Sequence, residues 1–283
     1  MRPDLMIFEG TNTGAGVAAS VLGIPAATYA IGLMSAVYAM LHPATVGYQR
    51  DLWLKQDRVP PEATGLLADA LINPAPPALQ GPDGTGAPSI PIRSVAYNES
   101  RAEVPAWLSQ QRKRPRVYLT LGTVSFGAVE VLSRAIGEIA PLGVDILVTA
   151  GPEGEPSALG EVPDNVQIER FVAQSAVLPL VDVIVHHGGT GTVLGALEAG
   201  LPQLVLPQGA DQFINAEILA AGGIGRALPN DAQQPGAIGA AVQALLGDSP
   251  ERQAAGRMRD EIAAMPSPSD VVPALVELAK RAD

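Results

Sequence analysis

The sequence predicts an α/β protein: a complete, doubly wound domain on a parallel sheet in the later part of the chain, preceded by a smaller α/β part. Three observations predict it. From Val117 onward, short β-branched runs alternate with stretches of helical periodicity, the order that yields a parallel sheet covered on both faces. Within that region Val181–Gln212 packs an apolar run, a glycine-rich turn, a helical pattern and a second apolar run into one β–loop–α–β unit. Near the start, Leu5–Ile31 has the same strand–helix–strand order.

In that first unit Leu5–Phe8 reads as a strand, Gly14–Leu22 as a helix, and Ala26–Ile31 as a strand after the Gly23–Ile24–Pro25 turn. Gly14-x-Gly16-x-x-Ala19 imitates a dinucleotide fingerprint, but the first acid after Glu9 is Asp51, so no carboxylate stands at the spacing a ribose contact needs. Small residues that let a helix lie close on a sheet explain it better. From Gly10 to Gln49 there is no charged residue, a length able to span a bilayer. Gly14, Gly16, Gly23, Pro25 and Gly32 cut it into short pieces, which favours a folded segment over a membrane helix. Ala44–Leu71 is more polar and reads as helical in part, whereas Ile72–Ala96, rich in proline and glycine, reads as a surface loop before the short run Ser94–Tyr97. Asn98–Arg116, charged and bounded by proline, reads as a linker, its basic run Arg112, Lys113, Arg114 and Arg116 being a solvated face. The expected organisation is residues 1–97, a linker at 98–116, and a second domain at 117–283.

In the second domain Val117–Gly122, Val144–Gly151 and Val166–Arg170 are the first three strands, with a turn and helix over Val124–Ala140. Val181–Val185 follows as a strand, Thr192–Ala199 as a helix stopped by Gly200 and Pro202, and Gln203–Leu206 as the next strand. Ile224–Leu228 adds a strand, and helical patterns at Pro235–Leu246, Glu251–Ala264 and Ser269–Ala282 close the chain.

With 283 residues, 47% of them hydrophobic, the chain can bury real cores. A net charge of −11 argues against a nucleic-acid binder, which needs a basic face. No cysteine is present and only His42, His186 and His187 offer imidazole, so neither a disulfide frame nor a structural metal is expected. The N-terminus reaches Asp4 and Glu9 at once and lacks the shape of a signal peptide, so a cytoplasmic protein is expected.

The candidate chemistry sits where a strand turns into a helix. Gly188, Gly189 and Gly191 let backbone N–H groups approach a phosphate, the helix N-terminus favours the anion, Thr192 adds a hydroxyl, and His187 can donate a ring N–H. His186, pointing to the opposite side, reads as structural. Past the next strand Asp211 and Gln212 could grip adjacent sugar hydroxyls. Thr123, just beyond the first strand of the domain, could meet the diphosphate from the other side or cap its helix. Phe171 reads either as a stacking partner for the nucleobase or as plain core, and the backbone of Val172 and Gln174 are candidate base-edge contacts. Together these describe a nucleotide-sugar site.

HHGGTGT at His186–Thr192, DQFINAE at Asp211–Glu217 and RFVAQSAVL at Arg170–Leu178, in this order, resemble the donor signature of the inverting GT-B-type glycosyltransferases that decorate antibiotics. The resemblance implies a GT-B-like fold: a complete, Rossmann-like C-terminal domain and a partial N-terminal α/β domain, truncated relative to the family, with an exposed sheet edge where strands would be missing. It implies transfer of a sugar from a dTDP- or UDP-sugar to a hydroxyl of a hydrophobic aglycone, without a metal, and leaves a homodimer open. Where many UDP-sugar users carry a glutamate eight residues after the histidine, this chain has Gly195, which points to a dTDP-deoxysugar donor. Glu9 stands where the family places the acid that supports a basic histidine, and the histidine's own segment is absent; His42 is a poor substitute. That absence keeps a second reading in view, a non-catalytic nucleotide-sugar-binding or helper protein. A third, a nucleotide-sugar epimerase, would want acids beyond Asp211 and Glu217 around the anomeric carbon.

Overall fold

The structure, a computed structural model, describes residues 2–33, 47–59, 68–80, 87–95, 104–122, 128–151 and 155–280. It forms two compact units, Met1–Ser94 with Ala264–Asp283, and Val95–Ala263.

In the first unit, β1 (Met6–Glu9), α1 (Thr13–Leu22) and β2 (Ala26–Tyr29) form the expected βαβ unit, β1 and β2 being parallel. Residues 47–54 are helical (α2). Strands β3 (Ala70–Asn73) and β4 (Ser89–Pro91) extend the sheet in the order β1-β2-β3-β4. The sequence reading missed both, taking these stretches as part helix and loop. They are four and three residues long, too short to show a period, and β4 carries a proline that only an edge strand tolerates. Ser94 and Val95 are not in a strand, and the rest of the Ser94–Tyr97 run lies outside the described residues. β1 is the other edge, and Ile7 on it is about half exposed.

The second unit holds a parallel sheet in the order β10-β9-β8-β5-β6-β7. Its strands are β5 (Arg116–Thr120), β6 (Asp145–Thr149), β7 (Val166–Glu169), β8 (Val183–His186), β9 (Gln203–Val205) and β10 (Gly225–Ala227). The helices are α3 (Ala128–Ile139), α4 (Gln174–Val177), α5 (Thr190–Glu198), α6 (Gln212–Ala221), α7 (Ala237–Leu245) and α8 (Pro250–Ala264). Both faces of the sheet are buried. Val117, Leu119, Ile146, Val148, Val183, Val185 and Leu204 pack with α3 and α7, while Tyr118, Leu147 and Ile184 pack with Val177, Leu178 and Ala196. That is why these strands read as unbroken apolar runs rather than alternating ones.

From β5 the chain runs outward through β6 and β7, then returns to place β8 on the other side of β5 and continues to β9 and β10. The strand order therefore reverses between β5 and β8. In doubly wound sheets that reversal opens a crevice at the strands' C-terminal ends.

Two parts of the expected organisation differ. Pro105–Arg116 does not behave as a linker. Leu108 is buried in the second unit's core, and the buried Arg116 guanidinium donates to the carbonyls of Leu108 (2.7 Å) and Gln110 (3.1 Å) while lying 5.5 Å from the centre of the Trp107 ring. Arg112 pairs with Asp182 at 2.9 Å, so of the basic run only Lys113 and Arg114 are a simple exposed face. The final helix, α9 (Pro268–Ala279), belongs to the first unit, where Leu278 packs with Ala27, Ala70 and Ile72. Among the described residues no helix is long and apolar enough to cross a membrane.

Deleting a buried leucine side chain from such a core costs about 2–5 kcal/mol. Leu278→Ala is accordingly expected to destabilise the first unit by that order in urea unfolding followed by hydrogen exchange, with the core amides of β5, β6 and β8 unaffected. Loss of protection in the second unit's sheet instead would refute the placement of α9.

Candidate functional site

The crevice between β5 and β8 is built around one imidazole. β8 ends at His186, and His187 leaves the sheet beside the turn that follows β5. A methyl group on Gly122 would stand 2.5 Å from His187 Cε1, and one on Gly189 would overlap His187 Nε2, so the ring packs closely against two bare backbones. Gly122 also has a φ of +79°, a conformation that a side chain would strain. Burial pushes the His187 imidazole below its usual pKa, and the charge of Asp211 acts in the opposite sense. Nδ1 of this ring is buried with no partner among the described residues.

The glycine loop divides its amides. Gly188, at φ +96°, donates its N–H to His186 Nδ1 (3.0 Å), while its carbonyl accepts from Asn215 Nδ2 (2.9 Å). Its amide is therefore committed within the protein, contrary to the expectation that it faces a phosphate. α5 makes its first backbone bond from Val193 N–H to Gly189 O, so the N–H groups of Thr190, Gly191 and Thr192 precede helical pairing and point out of the helix's N-terminus.

Asp211 and Gln212 stand where α6 begins; Asp211 is tied to the glycine loop through Thr190, and Gln212 to the turn between β9 and α6. Asp211 Oδ2 accepts from Thr190 Oγ1 (3.0 Å) and Asn215 Nδ2 (3.1 Å). Gln212 Oε1 accepts the N–H groups of Gln208 (2.8 Å) and Gly209 (3.1 Å), which orients its Nε2 as the end available to a ligand. Asn215 was not singled out from the sequence, yet it ties Gly188, Thr190 and Asp211 together. Its signal was the i,i+4 spacing from Asp211, which puts both on one face of α6.

Alongside lies a cavity of about 160 Å³ lined by Tyr118, Thr120, Thr149, Phe171, Val172, Gln174 and Thr192. Phe171 is 67% exposed at its edge, while Val172 is buried. Gln174 Nε2 reaches Thr192 Oγ1 at 3.4 Å, linking this cavity to the start of α5. Its floor is a hydroxyl chain: Tyr118 and Thr149 are 3.1 Å apart, Thr149 donates to Thr120 (2.7 Å), and Thr120 Oγ1 accepts the Gly122 N–H (3.3 Å). Of the expected site residues, His187, Gly189, Thr192, Asp211 and Gln174 thus belong to one neighbourhood. Thr123 lies outside the described residues, as does His42. Glu9 is in the first unit, where its two carboxylate oxygens accept from the Thr11 N–H (2.7 Å) and hydroxyl (2.6 Å). No group of three or more metal-ligating side chains occurs among the described residues.

Comparison with known proteins fixes the family. Residues 1–122 match the N-terminal domain, and residues 133–278 the C-terminal domain, of the erythromycin biosynthesis protein CIII-like family. The chain belongs to that family. This CIII-like chain is 34% identical to the L-demethylnoviosyl transferase of Streptomyces niveus over 97% of its own length and 71% of that protein. It is 32% identical to the 3-alpha-mycarosylerythronolide B desosaminyl transferase of Saccharopolyspora erythraea, over 98% of this chain and 69% of that one. Among solved structures it is similar to glycosyltransferase VinC in complex with DTDP, with a TM-score of 0.81 and 25% identity over 99% of this chain and 72% of that chain. The CIII-like protein is thus a GT-B glycosyltransferase of the antibiotic-decorating kind, and the helper and epimerase readings are not favoured.

Two outcomes follow from this geometry. Gly189 has an ordinary φ of −63°, so Gly189→Ala strains nothing except the His187 ring, and it is expected to weaken dTDP binding by about tenfold or more in calorimetry, or about 1.4 kcal/mol. Stability should also depend on pH through the buried pair. His186 is pushed down to about 3 by burial, with the neighbouring His187 adding to the effect, whereas an unfolded histidine titrates near 6.5. Between those values the unfolded chain binds a proton the native state refuses, so this stability is whole above pH ~6.5 and is lost as pH falls, at roughly 1.4 kcal/mol per pH unit. Urea unfolding of the wild type and His186→Asn between pH 6.5 and 5 should show the slope reduced in the variant.

Proposed function

We propose that this CIII-like protein transfers a deoxysugar from a dTDP-deoxysugar to a hydroxyl of a hydrophobic aglycone, with inversion and without a metal. The observation that carries this reading is the convergence on one crevice of the His187 ring, the free amides at the start of α5, the Asp211 carboxylate and the cavity beside Phe171. A diphosphate laid against Thr190, Gly191 and Thr192 meets the positive end of a helix dipole and the His187 ring N–H. The nucleoside then extends into the cavity with its base against Phe171 and the backbone of Val172, and the sugar reaches Asp211 and Gln212 Nε2.

In the reaction the acceptor oxygen attacks the anomeric carbon from the face opposite the diphosphate. The carbon–oxygen bond to the diphosphate breaks, its electron pair leaves with the phosphate, and the acceptor's proton passes to a base. The helix amides and His187 stabilise the charge that develops on the leaving group, so no cation is required there. Glu9, at the C-terminal end of β1, is assigned the role of the acid that supports that base, and no histidine able to be the base is found among the described residues of its unit.

The choice of dTDP rests on Gly195. A side chain there would first meet Leu178 Cδ1 at 3.3 Å and come within 3.7 Å of Gln174 Oε1, and the glycine itself offers no acceptor for a 2′-hydroxyl. A relative solved with DTDP is consistent with it. Calorimetry should therefore find dTDP bound about tenfold more tightly than UDP, with Gly195→Glu narrowing that gap. Incubation of the chain with dTDP-deoxysugars and an aglycone panel, followed by mass spectrometry, tests transfer itself; tighter binding of UDP than of dTDP would overturn the donor assignment, and dTDP binding without product across the panel would return the non-catalytic reading.

A further inference from the structure

We propose that His186, backed by Gln203, is the positioning residue of the donor loop: its single hydrogen-bonding tautomer locks the Gly188 peptide and so seats His187 against Gly122 and Gly189. The inference rests on the donor site proposed above, but concerns a side chain that touches no donor.

His186 is the last residue of β8 and is wholly buried between β5 and β9. Its two ring nitrogens have fixed, opposite partners. Nδ1 faces the Gly188 N–H at 3.0 Å, and Nε2 faces Gln203 Oε1 at 2.8 Å. A peptide N–H can only donate, so Nδ1 must carry the lone pair. The ring proton then sits on Nε2 and is given to the amide oxygen of Gln203. The second proton of an imidazolium would oppose the Gly188 N–H, and burial independently disfavours that form.

The bond from Gly188 N–H to His186 Nδ1 bridges residues i and i+2, so it closes a small ring that contains the His187 backbone. With the Gly188 carbonyl held by Asn215, each of the two peptides flanking that glycine is held at one polar group, the first by its N–H and the second by its carbonyl. A methyl at Gly188 would lie 2.8 Å from Val205 Cγ1 and 3.0 Å from the Gln212 carbonyl oxygen, so the glycine is packed closely against β9 and the start of α6. His187 therefore has one backbone path from the sheet to the place where its ring meets the two glycines.

Stability does not account for the pair. Gln203 is wholly buried, and its Nε2 has no partner among the described residues. Apolar side chains of the same volume would fill the site without that orphan donor. A buried polar pair whose one productive bond goes to the binding loop is better explained by what the loop must do.

The test uses the full chain with dTDP as probe. His186→Phe keeps the ring's shape and removes the acceptor; His186→Asn restores an acceptor able to reach an N–H two residues on. His186→Phe is expected to weaken dTDP binding by about tenfold, His186→Asn to recover most of that loss, and His186→Phe to add little once His187→Ala is present, as for residues acting through one another. Imidazole nitrogen NMR of the wild type should show His186 with its proton on Nε2, unchanged from pH 8 to 5. Wild-type affinity in His186→Phe, full additivity with His187→Ala, or a proton on Nδ1 would each overturn the proposal. If His186→Phe does not fold, Gln203→Leu replaces it: the Nε2–H then loses its acceptor and the ring its backing, so dTDP binding should weaken. Unchanged dTDP binding in a folded Gln203→Leu chain would overturn the proposal. Absence of dTDP binding in the wild type would defeat the donor reading instead, and the tautomer measurement would still judge His186.

Discussion

The site depends on the contact between an imidazole and two glycine backbones. Gly122 follows β5 and Gly189 precedes α5, and the His187 ring fills the space that side chains on either would need. Such a contact can form only if β5 and β8 are neighbours, because it joins residues more than sixty positions apart. The reversal of strand order makes them neighbours. One topological choice, made by where the chain returns after β7, thus creates the crevice and brings the first strand of the domain to the histidine.

Around that contact the protein arranges dipoles rather than full charges. The chain carries a net charge of −11, yet the site proposed for a diphosphate offers it helix amides, a ring N–H and a threonine hydroxyl. Local donors act over a few ångströms, whereas distant surface carboxylates are screened by water and salt. Burial keeps both histidines below their usual pKa, which suits a pair whose work is done by particular N–H and lone-pair positions. Asp211, the acid within this neighbourhood, is oriented by Thr190 and Asn215, both of which donate to its Oδ2.

The two units differ in how they are held. The second has a sheet buried on both faces, and its entry segment is fastened by Arg116, whose guanidinium gathers the carbonyls of Leu108 and Gln110. The first has short strands and takes α9, the last helix of the chain, as part of its cover. A capping box in which Ser267 and Asp270 bond one another's backbone fixes the start of α9.

The sequence by itself determined the doubly wound second domain, the order of its strands and helices along the chain, and the position of the glycine loop. Those follow from local rules: β-branched runs make buried strands, and glycine marks the strand-to-helix turns. It also singled out His187, Asp211 and Gln174, because their residue types and spacing carry chemistry whatever their partners. Only the tertiary structure decided which amides remain free: Gly188 looks like its neighbours in sequence, and loses its N–H to a ring whose direction depends on Gln203 across the sheet. The role of Asn215, the buried place of Arg116 and the transfer of α9 to the first unit were likewise hidden, and so were strands of three and four residues. A periodic pattern says that a face is buried or a donor needs a partner, but the partner is chosen by contacts between residues far apart in the chain, and those exist only once the sheets have formed.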